Sequence, residues 1–90
     1  MSINEHIGKL MEEMVTAKVP VKIYSETLAV FMKSYDEHKI RNGSYRYLKG
    51  NDYYFAMQRR YDFCMNKARQ HYKGEVARWI NQKQELKNQL

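Results

Sequence analysis

Residues 51–86 read NDYYFAMQRRYDFCMNKARQHYKGEVARWINQKQEL, and this stretch decides the fold. At 100° per residue its apolar side chains fall within one wide arc, which is typical of one face of a helix. The members of this arc are Tyr54, Met57, Tyr61, Cys64, Met65, Ala68, Tyr72, Val76, Trp79 and Leu86. If residues 52–88 formed one helix, it would be about 55 Å long, longer than a compact domain of this size. The sequence therefore predicts either a break at Gly74 or a helix that projects and packs against a second subunit.

The N-terminal segment predicts a first helix. Ser2-x-x-Glu5 is a capping box, in which the serine oxygen accepts from the backbone N–H at position 5. Apolar residues then recur at helical spacing at Ile3, Ile7, Leu10, Met11, Met14 and Val15. Pro20 ends this helix.

The middle of the chain predicts a second helix with a turn behind it. Residues 19–24 alternate and are rich in β-branched side chains, which favours a short extended stretch before a helix capped by Ser25. Helical spacing continues until about His38. The pair Asn42-Gly43 indicates either the helix end, which we favour, or a minor β-hairpin near residues 39–47. An irregular loop through Gly50 follows, and Asn51 or Asp52 caps the last helix.

These elements predict an all-α fold of about three helices with a long basic C-terminal helix. Ninety residues make one domain, residues 1–90, of which only the polar tail 81–90 is expected to fray. So small a core needs support, and one cysteine, Cys64, cannot provide a disulfide. We therefore expect a homodimer. The N-terminus lacks the pattern of a signal peptide and no apolar run could span a membrane, so we expect a cytoplasmic protein.

The charge of the chain is divided unevenly between its two halves. Residues 1–38 carry four Lys or Arg against six Asp or Glu, whereas residues 39–90 carry twelve against four. Six of the eight tyrosines also lie in the basic half. Cations interleaved with aromatic rings suit a polyanion whose bases can stack, which indicates RNA or single-stranded nucleic acid.

Two groups of residues are candidates for that contact. One is a row along the flank of the last helix, in which Arg60, Lys67 and Arg78 lie within about 20° of one another. The other is the loop of residues 41–51, where arginine can pair with phosphate and tyrosine can stack on a base. If that loop were a strand, its tyrosines and arginines would point to opposite faces. Together the candidates are Arg41, Tyr45, Arg46, Tyr47, Lys49, Tyr53, Arg59, Arg60, Lys67, Arg69, Lys73 and Arg78.

No motif predicts catalysis, a metal or a cofactor. His71 and Glu75 could meet on one helical face, but two ligands do not make a metal site. Cys64 falls inside the apolar arc, where a small buried side chain is expected. The expected function is therefore non-catalytic binding of RNA by occupancy, as in a compact regulator, inhibitor or antagonist of the phage type. The alternative is a regulator that grips an acidic host protein through an aromatic and methionine surface.

Overall fold

Three helices form the chain in the computed structural model, which describes residues 2–89. They are α1 (Ile3–Thr16), α2 (Val21–Asn42) and α3 (Asn51–Gln89), and this part of the chain contains no strand. The prediction of an all-α fold of three helices is confirmed. The predicted cap of α1 is confirmed as well, because the Ser2 hydroxyl accepts from the Glu5 backbone N–H at 3.3 Å.

The connection between α1 and α2 is tighter than predicted. Lys18 takes a left-handed conformation with φ 57°, so that its N–H reaches Val15 O and the Val19 N–H reaches Met14 O. This pair of bonds is a Schellman motif, and it satisfies the last carbonyl groups of α1. The chain can then start α2 at once behind Pro20, whose carbonyl accepts from Ile23. The predicted extended stretch at residues 19–24 is therefore wrong, and the predicted cap Ser25 lies inside α2.

Helix α2 continues about one turn beyond His38, where the helical spacing of its apolar residues stops. Gly43 caps it with φ 81° and donates its N–H to Lys39 O at 2.7 Å, a conformation that glycine adopts without strain. The Asn42 side chain adds a bond to the carbonyl of His38 at 3.0 Å. The preferred prediction of a helix end at Asn42-Gly43 is confirmed, and the alternative hairpin near residues 39–47 does not form.

Helix α3 is continuous through Gly74. Its 39 residues account for about 58 Å at 1.5 Å per residue, close to the 61 Å length of the molecule. The helix begins at Asn51, because the carbonyl of Gly50 already accepts from the Tyr54 N–H at 3.2 Å. Gly50 therefore occupies the cap position that was predicted for Asn51 or Asp52. The predicted break at Gly74 is therefore wrong, and residues 81–89, predicted to fray, continue the helix.

The core lies where α1 and α2 pack on the first two thirds of α3. Its buried members are Leu10, Met14, Val19, Ile23, Phe31, Tyr61, Cys64, Met65, Ala68 and Tyr72. The last buried side chain along α3 is Tyr72, and Val76 is partly buried against the same cluster. The final turns of α3 consequently extend beyond the two shorter helices. Within residues 2–89, none of the helices combines the length and the apolar character needed to cross a bilayer.

Candidate nucleic-acid interface

One end of the molecule combines exposed aromatic rings with exposed cations. It comprises the last turn of α2, the loop of residues 43–50 and the first turns of α3, and we call it the loop end. Its nine exposed side chains of these two kinds are Lys39, Arg41, Arg46, Tyr47, Lys49, Tyr53, Tyr54, Phe55 and Arg59. Six of them belong to the predicted set, whereas Tyr54 was assigned to the apolar arc of the last helix and Lys39 and Phe55 to neither group.

The rings at the loop end are unusually open to solvent. Tyr47 is 74% exposed, Phe55 is 56% exposed and Tyr54 is 54% exposed. The rings of Tyr54 and Phe55 lie edge to face with their centroids 5.7 Å apart. Chains with so little core rarely leave several large rings in water without a use for them, because each ring forgoes stabilisation of about 2 kcal/mol.

Two shallow grooves run across this end. The first lies between the loop and α3, and its lining residues are Asn42, Tyr45, Tyr47, Leu48, Asp52, Phe55, Ala56 and Arg59. The second lies along α3, and its lining residues are Tyr53, Tyr54, Met57, Gln58 and Tyr61. The lining of the second groove is mostly apolar, whereas that of the first is mostly polar and includes the Arg59 guanidinium. A planar base and its phosphate need these two features together.

Arg60 lies in the interior and not on the surface where the helical wheel placed it. It is only 1% exposed, its Nε donates to His38 Nδ1 at 3.2 Å, and a terminal nitrogen donates to the carbonyl of Gly43. The guanidinium carbon lies 4.4 Å from the ring centroid of Tyr45 and 5.4 Å from that of Tyr35. The predicted row of surface cations therefore loses its first member, which instead ties the loop to α2 and α3.

This placement has a physical reason that sequence periodicity could not supply. Arg60 borders the apolar face of α3, so a helical wheel leaves its side open to solvent. The extra turn of α2 brings His38 and Gly43 over that side and covers it. The signal available in the sequence was the Asn42-Gly43 helix end, which places a carbonyl acceptor close to the next helix.

His38 is held neutral by its surroundings. Burial lowers the pKa of its imidazole, and the positive charge of Arg60 lowers the pKa further. Since Nδ1 accepts the hydrogen bond from Arg60, the imidazole proton must be on Nε2. The ring of Phe63 packs beside it with centroids 5.4 Å apart.

The remaining predicted cations of α3 divide into paired and open groups. Arg69 donates two bonds to the Glu13 carboxylate of α1, at 2.9 and 2.6 Å. These hydrogen bonds lower the pKa of Glu13 despite its partial burial. Arg78 pairs with Glu75 on its own helix at 3.2 Å. Lys67 and Lys73 are exposed as well, but they lie on the middle of α3, away from the exposed rings of the loop end.

The groups examined for catalysis or metal binding have other roles. Cys64 is completely buried, and burial raises the pKa of its thiol to about 11, which keeps it protonated near neutral pH. His71 lies with Nε2 3.6 Å from a carboxylate oxygen of Glu26 on α2, and does not pair with Glu75. In the part of the chain that the structure describes, no three His, Cys, Asp or Glu side chains converge as metal ligands would.

The opposite end of α3, residues 77–88, is built differently, and we call it the distal end. Ile80 and Leu86 are 45% and 62% exposed there, and the Lys83 ammonium lies 3.8 Å from the ring centroid of Trp79. Ile80 and Leu86 line one shallow, mostly apolar depression whose lining residues all belong to α3, so the distal end is the face of a single helix.

Comparison of the chain with protein-family models, with curated proteins and with solved structures finds no match. The function must therefore be argued from the geometry of the chain itself.

Proposed function

We propose that the protein binds RNA or another single-stranded nucleic acid at the loop end, without catalysing a reaction. The observation that carries this proposal is the group of open rings at Tyr47, Tyr54 and Phe55, set among the cations Arg46 and Arg59. Binding of this kind acts by occupancy, so that the protein shields the nucleic acid or displaces a competitor from it.

The chemistry of the loop end favours unpaired bases over a regular duplex. Stacking of a base on an aromatic side chain contributes about 1–3 kcal/mol, but it requires a base face that is not already stacked. Tyr47 lies in the loop, whereas Tyr54 and Phe55 lie on the first turns of α3, so the rings are presented where a loop meets the start of a helix. Arginine and lysine around the rings would neutralise the backbone phosphates.

Within the loop end, the cations are better placed for phosphate than those on the middle of α3. The ion pairs formed among residues 2–88 occupy Arg69 and Arg78 but none of Arg41, Arg46 and Arg59. A phosphate would therefore gain these three guanidinium groups without displacing a carboxylate. Among residues 2–88, Lys67 and Lys73 form no ion pair either, but no exposed ring accompanies them on the middle of α3. The proposal therefore centres on the loop-end cations and keeps these two lysines as the matched comparison.

Fluorescence anisotropy with the protein purified at high salt tests the proposal. The probes are a labelled oligouridylate, a single-stranded DNA and a duplex DNA, each measured over a salt series. We expect RNA affinity to persist near about 0.15 M salt and to exceed that for duplex DNA. The variant Tyr47→Ala/Phe55→Ala should lose at least about tenfold in affinity, from one to two lost stacking contacts.

Charge reversal then separates the loop end from the rest of the surface. Arg46→Glu/Arg59→Glu should weaken binding far more than the matched control Lys67→Glu/Lys73→Glu, which changes the net charge equally. Equal losses in the two variants would mean that the whole basic half attracts polyanions without a site. Binding that vanishes by about 0.15 M salt for all probes would reject nucleic acid as the ligand.

We also propose that the protein acts as a homodimer, with the distal ends of α3 in contact. Support comes from Ile80 and Leu86, which are exposed and line one shallow, mostly apolar depression on α3. Sedimentation velocity over a concentration series tests the association. A monomer at all concentrations, with unchanged RNA affinity, would reject the dimer but not the binding site.

A second candidate function is the binding of an acidic protein at the same end. The observation in its favour is the amount of apolar surface there, since Ile40 on the last turn of α2 is 83% exposed beside the open rings. Such binding would depend on these side chains and only weakly on salt, unlike the binding of RNA. An acidic partner retained at high salt and lost with Tyr54→Ala/Phe55→Ala would favour this alternative.

A further inference from the structure

Arg60 is a buried cation whose contacts tie three parts of the molecule together. It is reached by His38 from α2, by the Gly43 carbonyl at the helix end and by the Tyr45 ring from the loop. None of the ion pairs formed within residues 2–88 includes Arg60. A guanidinium retains its charge at every ordinary pH, so its neutral partners hold it through hydrogen bonds and ring contacts alone.

We infer that His38 regulates the loop end: protonation of its imidazole releases the loop from Arg60 and weakens nucleic-acid binding. This inference rests on the function proposed above. His38 and Arg60 are positioning residues here, because Arg60 is buried and the partly buried His38 ring packs against Arg60 and Phe63.

The direction of one hydrogen bond determines how the contact between His38 and Arg60 responds to protonation. His38 Nδ1 accepts from Arg60 Nε at 3.2 Å, and an imidazolium has no acceptor nitrogen left. Protonation would place an N–H opposite an N–H and two positive charges at contact distance. The imidazole must then turn away, and Arg60 retains only the Gly43 carbonyl and the rings.

The loop is the part that this change would affect. Tyr45 holds φ 63°, a conformation that is strained for a non-glycine residue and persists only where contacts maintain it. Its ring lies on the Arg60 guanidinium and 6.4 Å from the His38 ring, edge to face. The carbonyl of Tyr45 in turn accepts from the N–H of Leu48, which closes the turn that presents Tyr47.

The surroundings of His38 contain no group that would cancel the effect. Among residues 2–88, the titratable groups that face its ring are Arg60 from α3 and Tyr45 from the loop. Phe63 from α3 completes the enclosure. Partial burial and the Arg60 charge both lower the pKa of His38, as expected for a neutral acceptor beside a cation.

The inference predicts a change of affinity in a direction that charge alone would not produce. Protonation adds a positive charge to a basic protein, and this by itself strengthens binding to a polyanion. Loss of the loop conformation has the opposite sign, so a fall in affinity at acid pH identifies the positioning role.

The experiment measures anisotropy with the labelled oligouridylate between about pH 7.5 and about pH 5.5, where neither uracil nor phosphodiester titrates. We expect Kd to rise about fivefold towards acid pH, which is the equivalent of one lost hydrogen bond. His38→Asn keeps an acceptor near the position of Nδ1 but does not titrate, so it should bind tightly at both pH values. His71→Gln is the matched control and should keep the full acid loss.

A second measurement follows the loop without nucleic acid. In NMR spectra of the free protein, the amide signals of Gly43, Tyr45 and Leu48 should shift with the titration of His38, and should not do so in His38→Asn. Circular dichroism at both pH values checks that the helices persist.

The outcomes separate this inference from the proposed function. Affinity that stays level or rises at acid pH, or an acid loss that His38→Asn retains, would overturn the regulation and leave RNA binding intact. Absence of RNA binding at about pH 7.5 would overturn both the function and its regulation, whatever the loop signals show.

Discussion

The two ends of α3 both expose apolar side chains, but only at the loop end does a buried side chain hold the surface in place. At the loop end, the loop that carries Tyr47 packs through the Tyr45 ring on the buried Arg60, which is bonded to His38 on α2 and to the helix end at Gly43. At the distal end, Ile80 and Leu86 are exposed, and no buried side chain follows Tyr72 along the described part of α3. Exposure alone therefore does not distinguish a binding surface from an unfinished one.

The difference lies in what fixes each surface in position. Preorganised rings lose little conformational entropy on binding, so the contact with a base is not offset by ordering of the loop. The distal end has no such anchor and can become ordered only against another chain. The loop end is therefore suited to a ligand with flat faces, whereas the distal end is suited to a second helix.

Removal of the Arg60 side chain should have the largest effect on the difference between the two ends. Arg60→Ala leaves a cavity and two unsatisfied acceptors, at His38 and Gly43, and should lower the free energy of unfolding by about 3 kcal/mol. The neighbouring variant Arg59→Ala removes the same charge from the surface and should change it by less than about 0.5 kcal/mol. Urea denaturation of both variants measures the difference.

A small effect of Arg60→Ala would be informative in itself. It would mean that the cost of burying the guanidinium cancels its contacts, as occurs for many buried ion pairs. The loop end would then be no better organised than the distal end, and the contrast between them would fail.

Acid should destabilise the anchored part of the molecule in two steps. The pKa of His38 is lower in the folded protein than its ordinary value of 6.5, so below about that pH the unfolded chain takes up the proton first. The free energy of unfolding falls from there down to the folded pKa. The pKa of Glu13 is also lowered, from 4.5, chiefly by the Arg69 hydrogen bonds, so a second fall begins near that value and continues through the folded pKa.

Two variants assign these steps. His38→Asn should abolish the first and Glu13→Gln the second, each step being on the order of 1 kcal/mol, or one hydrogen bond. Urea denaturation at a series of pH values measures both. A first step that persists in His38→Asn would place its origin at another histidine.

Gly74 connects the two ends and offers a test of smaller size. A Cβ added there would meet nothing within 4 Å, and its φ lies outside the left-handed region. Gly74→Ala should therefore raise the free energy of unfolding by about 0.7 kcal/mol, since alanine favours the helix. Gly50→Ala is the matched control with the opposite sign, because Gly50 has φ 58°. Thermal denaturation compares the two variants. A lower free energy of unfolding for Gly74→Ala would indicate that a partner approaches α3 closely at this turn.

The sequence predicted what depends on periodicity and on local capping. The three helices, the cap at Ser2 and the helix end at Gly43 follow from side chains that act within a few residues. What it missed depends on contacts between elements. A helical wheel of α3 could not predict that Arg60 is buried. The groups that cover it, His38 and the Gly43 carbonyl, lie 22 and 17 residues earlier in the chain, on α2 and at its end.

The candidate site follows the same division. Composition located the cations and rings in the second half of the chain, and the structure sorted them by their neighbours. Arg69 pairs with Glu13, which lies 56 residues earlier in the chain, and no spacing pattern in the sequence predicts such a pair. Phe55 was missed because it lies outside the apolar arc of α3, although an aromatic residue outside the core face is itself a sign of a surface role.

The smallest expected effect concerns the distal end. Ile80→Ala/Leu86→Ala should change the free energy of unfolding of the dilute protein by no more than about 0.5 kcal/mol, since both side chains are exposed and fill no cavity. Thermal denaturation over a concentration series is the measurement, because association raises Tm as concentration increases. If the distal ends pair, the wild-type Tm should rise with concentration and the variant Tm should not. A large loss at low concentration would instead mean that these turns are packed within the monomer, and the two ends of α3 would then be anchored alike.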